Sequence, residues 1–122
     1  MKPAIPVFRL FDESMAREFY VDFLGFTVDW EHRFEPGMPL YMQISRGTCL
    51  LHLTGHFGDA SPGSSVRIET PDLEAYCLHL RSQSYKHSRP GRPHAMPWGT
   101  LEISITDPSG NKLIFYETNP EK

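Results

Sequence analysis

The chain has 122 residues, 39% of them hydrophobic and 22% charged, enough apolar material for one buried core and too little for two ordinary ones. Its net charge is −3 with the basic residues scattered, which argues against a nucleic-acid partner, and no apolar run reaches the roughly 18–20 residues of a membrane span. The mild acidity suits a cationic small molecule and equally suits many proteins with no such ligand.

Residues 4–10 form an apolar run with strand-like alternation, after a start, Met1-Lys2-Pro3-Ala4-Ile5-Pro6, that has no leader-like apolar segment. A helix is predicted over 13–24, with Asp12 or Ser14 as its cap, Gly25 just past its end, and Met15, Phe19, Tyr20, Phe23 and Leu24 at helical spacing. Three strands come next, over 26–33, 39–45 and 48–54, joined at Glu35-Pro36-Gly37 and Arg46-Gly47. Residues 55–64 form a loop rich in Gly, Ser, Asp and Pro. The order then restarts: a strand over 65–70, a helix opened by Pro71-Asp72-Leu73-Glu74 and running to about residue 83, and an irregular basic stretch over 85–97 with one short strand. The last element is a hairpin. Leu101, Ile103 and Ile105 alternate with Glu102, Ser104 and Thr106, and Leu113 and Phe115 continue the pattern beyond the turn Asp107-Pro108-Ser109-Gly110-Asn111. The fold class is α+β: a single domain of two tandem βαβββ modules, about 1–55 and 64–122. Cys49 and Cys77 lack CxxC or CxxH spacing and are expected as reduced thiols in a cytoplasmic protein.

Strand parity divides the side chains into two faces. Phe8, Leu10, Val28, Leu40, Met42, Ile44, Leu51, Leu53, Val66, Ile68, Leu101, Ile103, Leu113 and Phe115 fall on the helix-facing side. Ile5, Val7, Arg9, Tyr41, Gln43, Leu50, His52, Ser65, Arg67, Glu102, Ser104, Lys112, Ile114 and Tyr116 fall on the other, and a one-residue slip inverts any strand. Trp30 shares parity with Val28, so core or dimer contact and ligand wall are both open for it.

Five motifs in order, Ala4-Ile5-Pro6-Val7-Phe8, Phe19-Tyr20, Leu24-Gly25-Phe26, Pro97-Trp98-Gly99 and Asp107-Pro108-Ser109-Gly110-Asn111, resemble the glyoxalase/bleomycin-resistance/extradiol-dioxygenase superfamily with its vicinal oxygen chelate fold. The Ile5-Pro6-Val7 opening, Leu51-His52-Leu53 and Pro97-Trp98-Gly99-Thr100 look most like the bleomycin-resistance-type binding proteins. The resemblance implies paired modules whose sheets curl around a cavity, with a second subunit usually completing it. Enzymes of the superfamily hold a divalent metal with His, Glu or Gln from four strands. Transferred residue by residue, those positions fall on Ile5, Ser64 or Ser65, Leu50 or His52, and Ile114. At best one is a good ligand, short of the three or more a metal site needs.

A non-standard metal cluster of His52, His56 and Asp59, with His94, is the remaining metal possibility; Gly55 and Gly58 argue against the helix that would align the two histidines. No Gly-x-Ser-x-Gly elbow or phosphate-binding glycine loop occurs. Glu102 and Glu117 are the candidate bases, each more simply read as a solvated or ion-paired carboxylate, and Arg67 either neutralises Glu102 or holds an anionic ligand group. Trp30, Phe34, Tyr41, Trp98 and Tyr116 supply flat surfaces that stack on planar rings and attract cations. The basic stretch with Lys86, Arg89 and Arg92 counts against bleomycin itself as the ligand.

The expectation is therefore a metal-free, cofactor-free, homodimeric protein that binds a small aromatic or amphipathic molecule through Phe34, Tyr41, Gln43, His52, Arg67, Trp98 and Glu102, without catalytic residues and without nucleic-acid or membrane partners. The alternatives are a metal-dependent glyoxalase, lyase or dioxygenase-like enzyme of the same fold, and an interaction domain whose cleft is vestigial.

Overall fold

The computed structural model describes residues 1–118; residues 119–122, the end of the expected second module, lie outside the described residues. The chain divides into two compact units. One comprises Met1–Ser64 together with Asp107–Asn111, and the other Ser65–Thr106 with the chain from Lys112 onward.

The first unit runs β1 (Val7–Arg9), α1 (Glu13–Arg17), a π-helical stretch (Glu18–Phe23), β2 (Thr27–His32), β3 (Tyr41–Arg46) and β4 (Cys49–Thr54). Its sheet has the order β1-β4-β3-β2, with β1 parallel to β4 and the other neighbours antiparallel. Strand β1 is shorter than the apolar run suggests. Pro3 and Pro6 have no N–H to give a ladder, and residues 4–6 contribute only the Pro6 carbonyl, which accepts from His52 N at 3.0 Å. Asp12, not Ser14, caps α1, accepting from Met15 N at 2.9 Å. The predicted single helix changes winding at Glu18, and Gly25 comes after it at φ 87°, a conformation that suits glycine. Phe8, Phe19, Tyr20, Phe23, Leu40, Met42, Ile44, Leu51 and Leu53 form the core.

The second unit repeats the plan with β5 (Ser65–Glu69), α2 (Leu73–Arg81), β6 (His94–Ala95), β7 (Thr100–Thr106) and β8 (Lys112–Thr118). Its order, β5-β8-β7-β6, again sets the first strand parallel beside the last. Pro71 lies outside α2, whose capping position, Asp72, takes φ 59° and makes no side-chain cap bond. Both cysteines are free, and burial pushes each thiol above its ordinary range. No helix among the described residues is long and apolar enough to cross a membrane.

The turn between β7 and β8 belongs to the first unit. Buried Asp107 accepts from Ser109 N, Asn111 N, Asn111 Nδ2 and, at 2.5 Å, the Tyr20 hydroxyl. Asn111 Nδ2 also donates to the Arg9 carbonyl at 2.8 Å, and Ser109 Oγ accepts from Phe11 N. Gly110 closes the turn at φ 91°. Burial and the neighbouring Asp107 charge keep the Tyr20 phenol protonated, its pKa pushed well above 10.0.

Candidate functional site

One residue sets the polar face of the first sheet. Thr27 and Val28 pair with Ser45 and Ile44, but Trp30 pairs with Gln43, because Asp29 is an extra residue that shifts the register. Such a β-bulge re-aims the side chains on its C-terminal side. Trp30 and His32 therefore stand over Gln43 and Tyr41 instead of sharing Val28's core side, which decides the open question of Trp30 against the core; it is 43% exposed. The bulge is tied down from the same face, Asp29 accepting from Gln43 Nε2 at 3.0 Å and from Ser45 Oγ at 2.9 Å.

Those bonds propagate inward. A carboxylate only accepts, so Gln43 turns its NH2 to Asp29 and its carbonyl oxygen to His52 Nε2, 3.0 Å away. His52 then carries its proton on Nε2, leaving Nδ1 to accept from the Tyr41 hydroxyl at 2.7 Å. Burial lowers the His52 pKa, which favours this neutral form. The Tyr41 phenol is shifted upward by burial and by the charge of Asp59, so it remains a donor. Both His52 nitrogens are thereby engaged and neither is free to hold a metal.

In front of this network lies an open cavity of about 480 Å³ lined by Trp30, His32, Phe34, Tyr41, His56 and Asp59, a size usual for small-molecule sites. Trp30 and Tyr41 are near-parallel, with ring centroids 6.0 Å apart. Phe34, 71% exposed, meets His32 and His56 edge-on. Gln43 and His52 are not among its lining residues; His52 holds the Tyr41 hydroxyl, and Gln43 holds His52. His56 is half-buried, and its Nε2 has no hydrogen-bond partner. Asp59 takes one bond, from Thr54 Oγ1 to Oδ2.

The second unit carries the rest of the expected residues. Glu102 stands on the polar face of β7, yet is only 4% exposed. Four donors reach it: Arg67 Nη2 at 2.6 Å and Nη1 at 3.3 Å, Trp98 Nε1 at 3.0 Å and Thr100 Oγ1 at 2.6 Å. The Arg67 hydrogen bond is the main reason its pKa falls to about 2; Thr100 and Trp98 add to it against the opposing cost of burial. Such a carboxylate is a poor base, so this geometry gives it a holding role. Arg67 is also stacked over Tyr116, 4.7 Å from the ring centroid. Trp98 itself is 65% exposed, its indole N–H fixed while its faces stay open.

The residues named from sequence thus separate into Phe34, Tyr41, Gln43 and His52 in the first unit and Arg67, Trp98 and Glu102 in the second. Sequence reasoning singled out His56 and Asp59 only as members of a possible metal cluster, not as the lining of an aromatic cavity. Asp29 left a trace, since Asp is depleted in strand interiors. The metal positions implied by the superfamily do not fit a divalent ion: Ile5 and Ile114 have no donor atom, Ser65 is a weak one, and His52 is engaged. The described residues contain no group of three or more His, Cys, Asp or Glu placed to hold a metal.

With this geometry established, the family model described as "Glyoxalase superfamily protein" matches residues 1–121. The chain belongs to the glyoxalase superfamily. A bleomycin-binding protein from bleomycin-producing Streptomyces verticillus, solved with copper(II)-bleomycin, is 26% identical over 98% of both chains, with a TM-score of 0.71. TnmS3, an antibiotic binding protein from Streptomyces sp. CB03234, is 22% identical over 97% of this chain and 98% of its own, at 0.73. A glyoxalase-related enzyme from Clostridium phytofermentans is 20% identical over 97% and 95%, at 0.75. These likenesses agree with the α+β architecture of two four-stranded mixed sheets. No curated protein matches the chain. The solved structures the chain resembles thus include two described as binding proteins and one described as a glyoxalase-related enzyme.

Proposed function

We propose that this glyoxalase-superfamily protein is a metal-free binding protein of bleomycin-resistance type, acting as a homodimer to sequester an aromatic or amphipathic small molecule. The observation that carries the reading is Trp98, an indole pinned by Glu102 with its faces open. A ring held in place loses little freedom when a planar ligand stacks on it, so more of the contact energy appears as affinity. The saturated Glu102 and engaged His52 favour capture over turnover, and the likeness to bleomycin-binding and antibiotic-binding proteins points the same way.

The test is titration with bleomycin and a panel of planar antibiotics, reading Trp98 fluorescence and recovering the compound for mass analysis. Saturable quenching with unmodified compound supports sequestration; silence across the panel removes it. Stoichiometric divalent metal in protein purified without chelator, or turnover of the hemithioacetal of glutathione and methylglyoxal, would place the protein among the superfamily's metal-dependent enzymes instead.

A further inference from the structure

We propose that the cavity of the first unit is a recognition site for the ammonium head of an organic cation. The inference rests on the reading of the protein as a small-molecule binder and narrows its ligand through residues of the first unit. Three features carry it. The walls are aromatic: Trp30 and Tyr41 lie near-parallel, and Phe34 stands with its ring exposed at the margin. Ring faces carry the negative lobe of the aromatic quadrupole and attract a cation, most strongly for Trp. The second feature is charge. Asp59 lines the same cavity, and among the described residues no cationic side chain pairs with it; its only side-chain bond, from Thr54, falls on Oδ2 and leaves Oδ1 without a donor.

The third is the ordering of Tyr41. Its hydroxyl is committed as a donor to His52, so toward the cavity it offers ring and lone pairs but no proton. A ligand anion would meet Asp59 and find no arginine or lysine on the wall. A metal ion fits no better, because the described residues include no group of three His, Cys, Asp or Glu placed to hold one. A neutral aromatic would stack but leave the carboxylate unused. A quaternary ammonium uses both, and its weak hydration, with no N–H to solvate, makes transfer onto rings inexpensive.

The probe pair is choline and its neutral carbon isostere, 3,3-dimethylbutan-1-ol, titrated at pH 8 into the full chain. The readout is the indole N–H resonance of Trp30, assigned apart from that of Trp98 by single substitution. Choline is expected to bind about tenfold or more tightly than the alcohol, equivalent to ~1.4 kcal/mol, and to move Trp30. Asp59→Asn keeps an acceptor for Thr54 and so keeps the loop; it should cut the preference to about threefold or less, the remainder coming from the rings. Equal affinity for the two probes, a preference unchanged in Asp59→Asn, or shifts at Trp98 in place of Trp30 would each overturn the inference. Planar compounds that quench Trp98 while the probes bind equally would sink the cation site and leave the binding-protein reading standing. Choline preference at Trp30 with the planar panel silent would do the reverse.

Discussion

Replacing Glu102 by Gln tests whether the second unit's cluster is held together by charge. Oε2 accepts from Arg67, Trp98 and Thr100, and Oε1 from Arg67 alone. An amide can offer only one oxygen, so its NH2 must face a donor, and at least one charge-assisted bond is lost in either orientation. A carboxyl whose pKa falls from 4.5 to about 2 on folding favours the charged form by about 3 kcal/mol. Arg67's side chain is 44% exposed and can turn to water, so about 1–2 kcal/mol should survive as a stability difference. For a chain of this size that is a fall in Tm of about 4–8 °C. The pH dependence fixes the cause. Because the folded pKa is depressed, the contribution is complete above the unfolded value of 4.5 and is lost as pH falls toward 2. The gap between wild type and Glu102→Gln in reversible thermal denaturation should thus be constant from pH 8 to about 6 and shrink to less than half by about pH 3. Equal Tm values at pH 7, or a gap unchanged down to pH 3, would refute the charge argument.

Three further outcomes are expected from the same geometry. Tyr20→Phe removes a buried donor from Asp107 and should cost about 1.5–3 kcal/mol in denaturant unfolding, with no compensating change in slope. His52 should titrate below 6.5 by NMR, and wild type should lose stability as pH drops below that value while His52→Asn does not, because the unfolded chain then binds the extra proton. Asp29→Ala frees the Gln43 amide to flip, so the imidazole ¹⁵N shifts of His52 should change from a single Nε2–H tautomer to a mixture.

Alternation made most of the two faces legible. Met42, Ile44, Leu51, Leu53, Ile103, Leu113 and Phe115 are buried, as their parity requires, while Tyr41, Gln43, His52 and Arg67 stand on the other side. It failed at Asp29, because a period of two carries no information about an inserted residue, and Trp30 changes face as a result. It was incomplete at Glu102. Parity put the carboxylate on the polar face, but its burial depends on a ring from the preceding turn, the hydroxyl of Thr100 on its own strand and an arginine thirty-five positions away. The cavity itself needed Asp59 and His56, from a loop without periodicity, to meet β2 and β3.

The bond between Tyr20 and Asp107 closes a separation of 87 positions inside one unit. At synthesis rates of about 5–20 residues per second, its two ends leave the ribosome roughly 4–17 s apart. Throughout that interval the nascent first unit holds the tyrosine that will receive the turn, with neither Asp107 to accept from its hydroxyl nor Asn111 to bond the Arg9 carbonyl. A chain cut after Ser64 would be left permanently in that condition. Division after Ser64 would thus leave two pieces that each carry a sheet, the first without the bonds that Asp107 and Asn111 make to it.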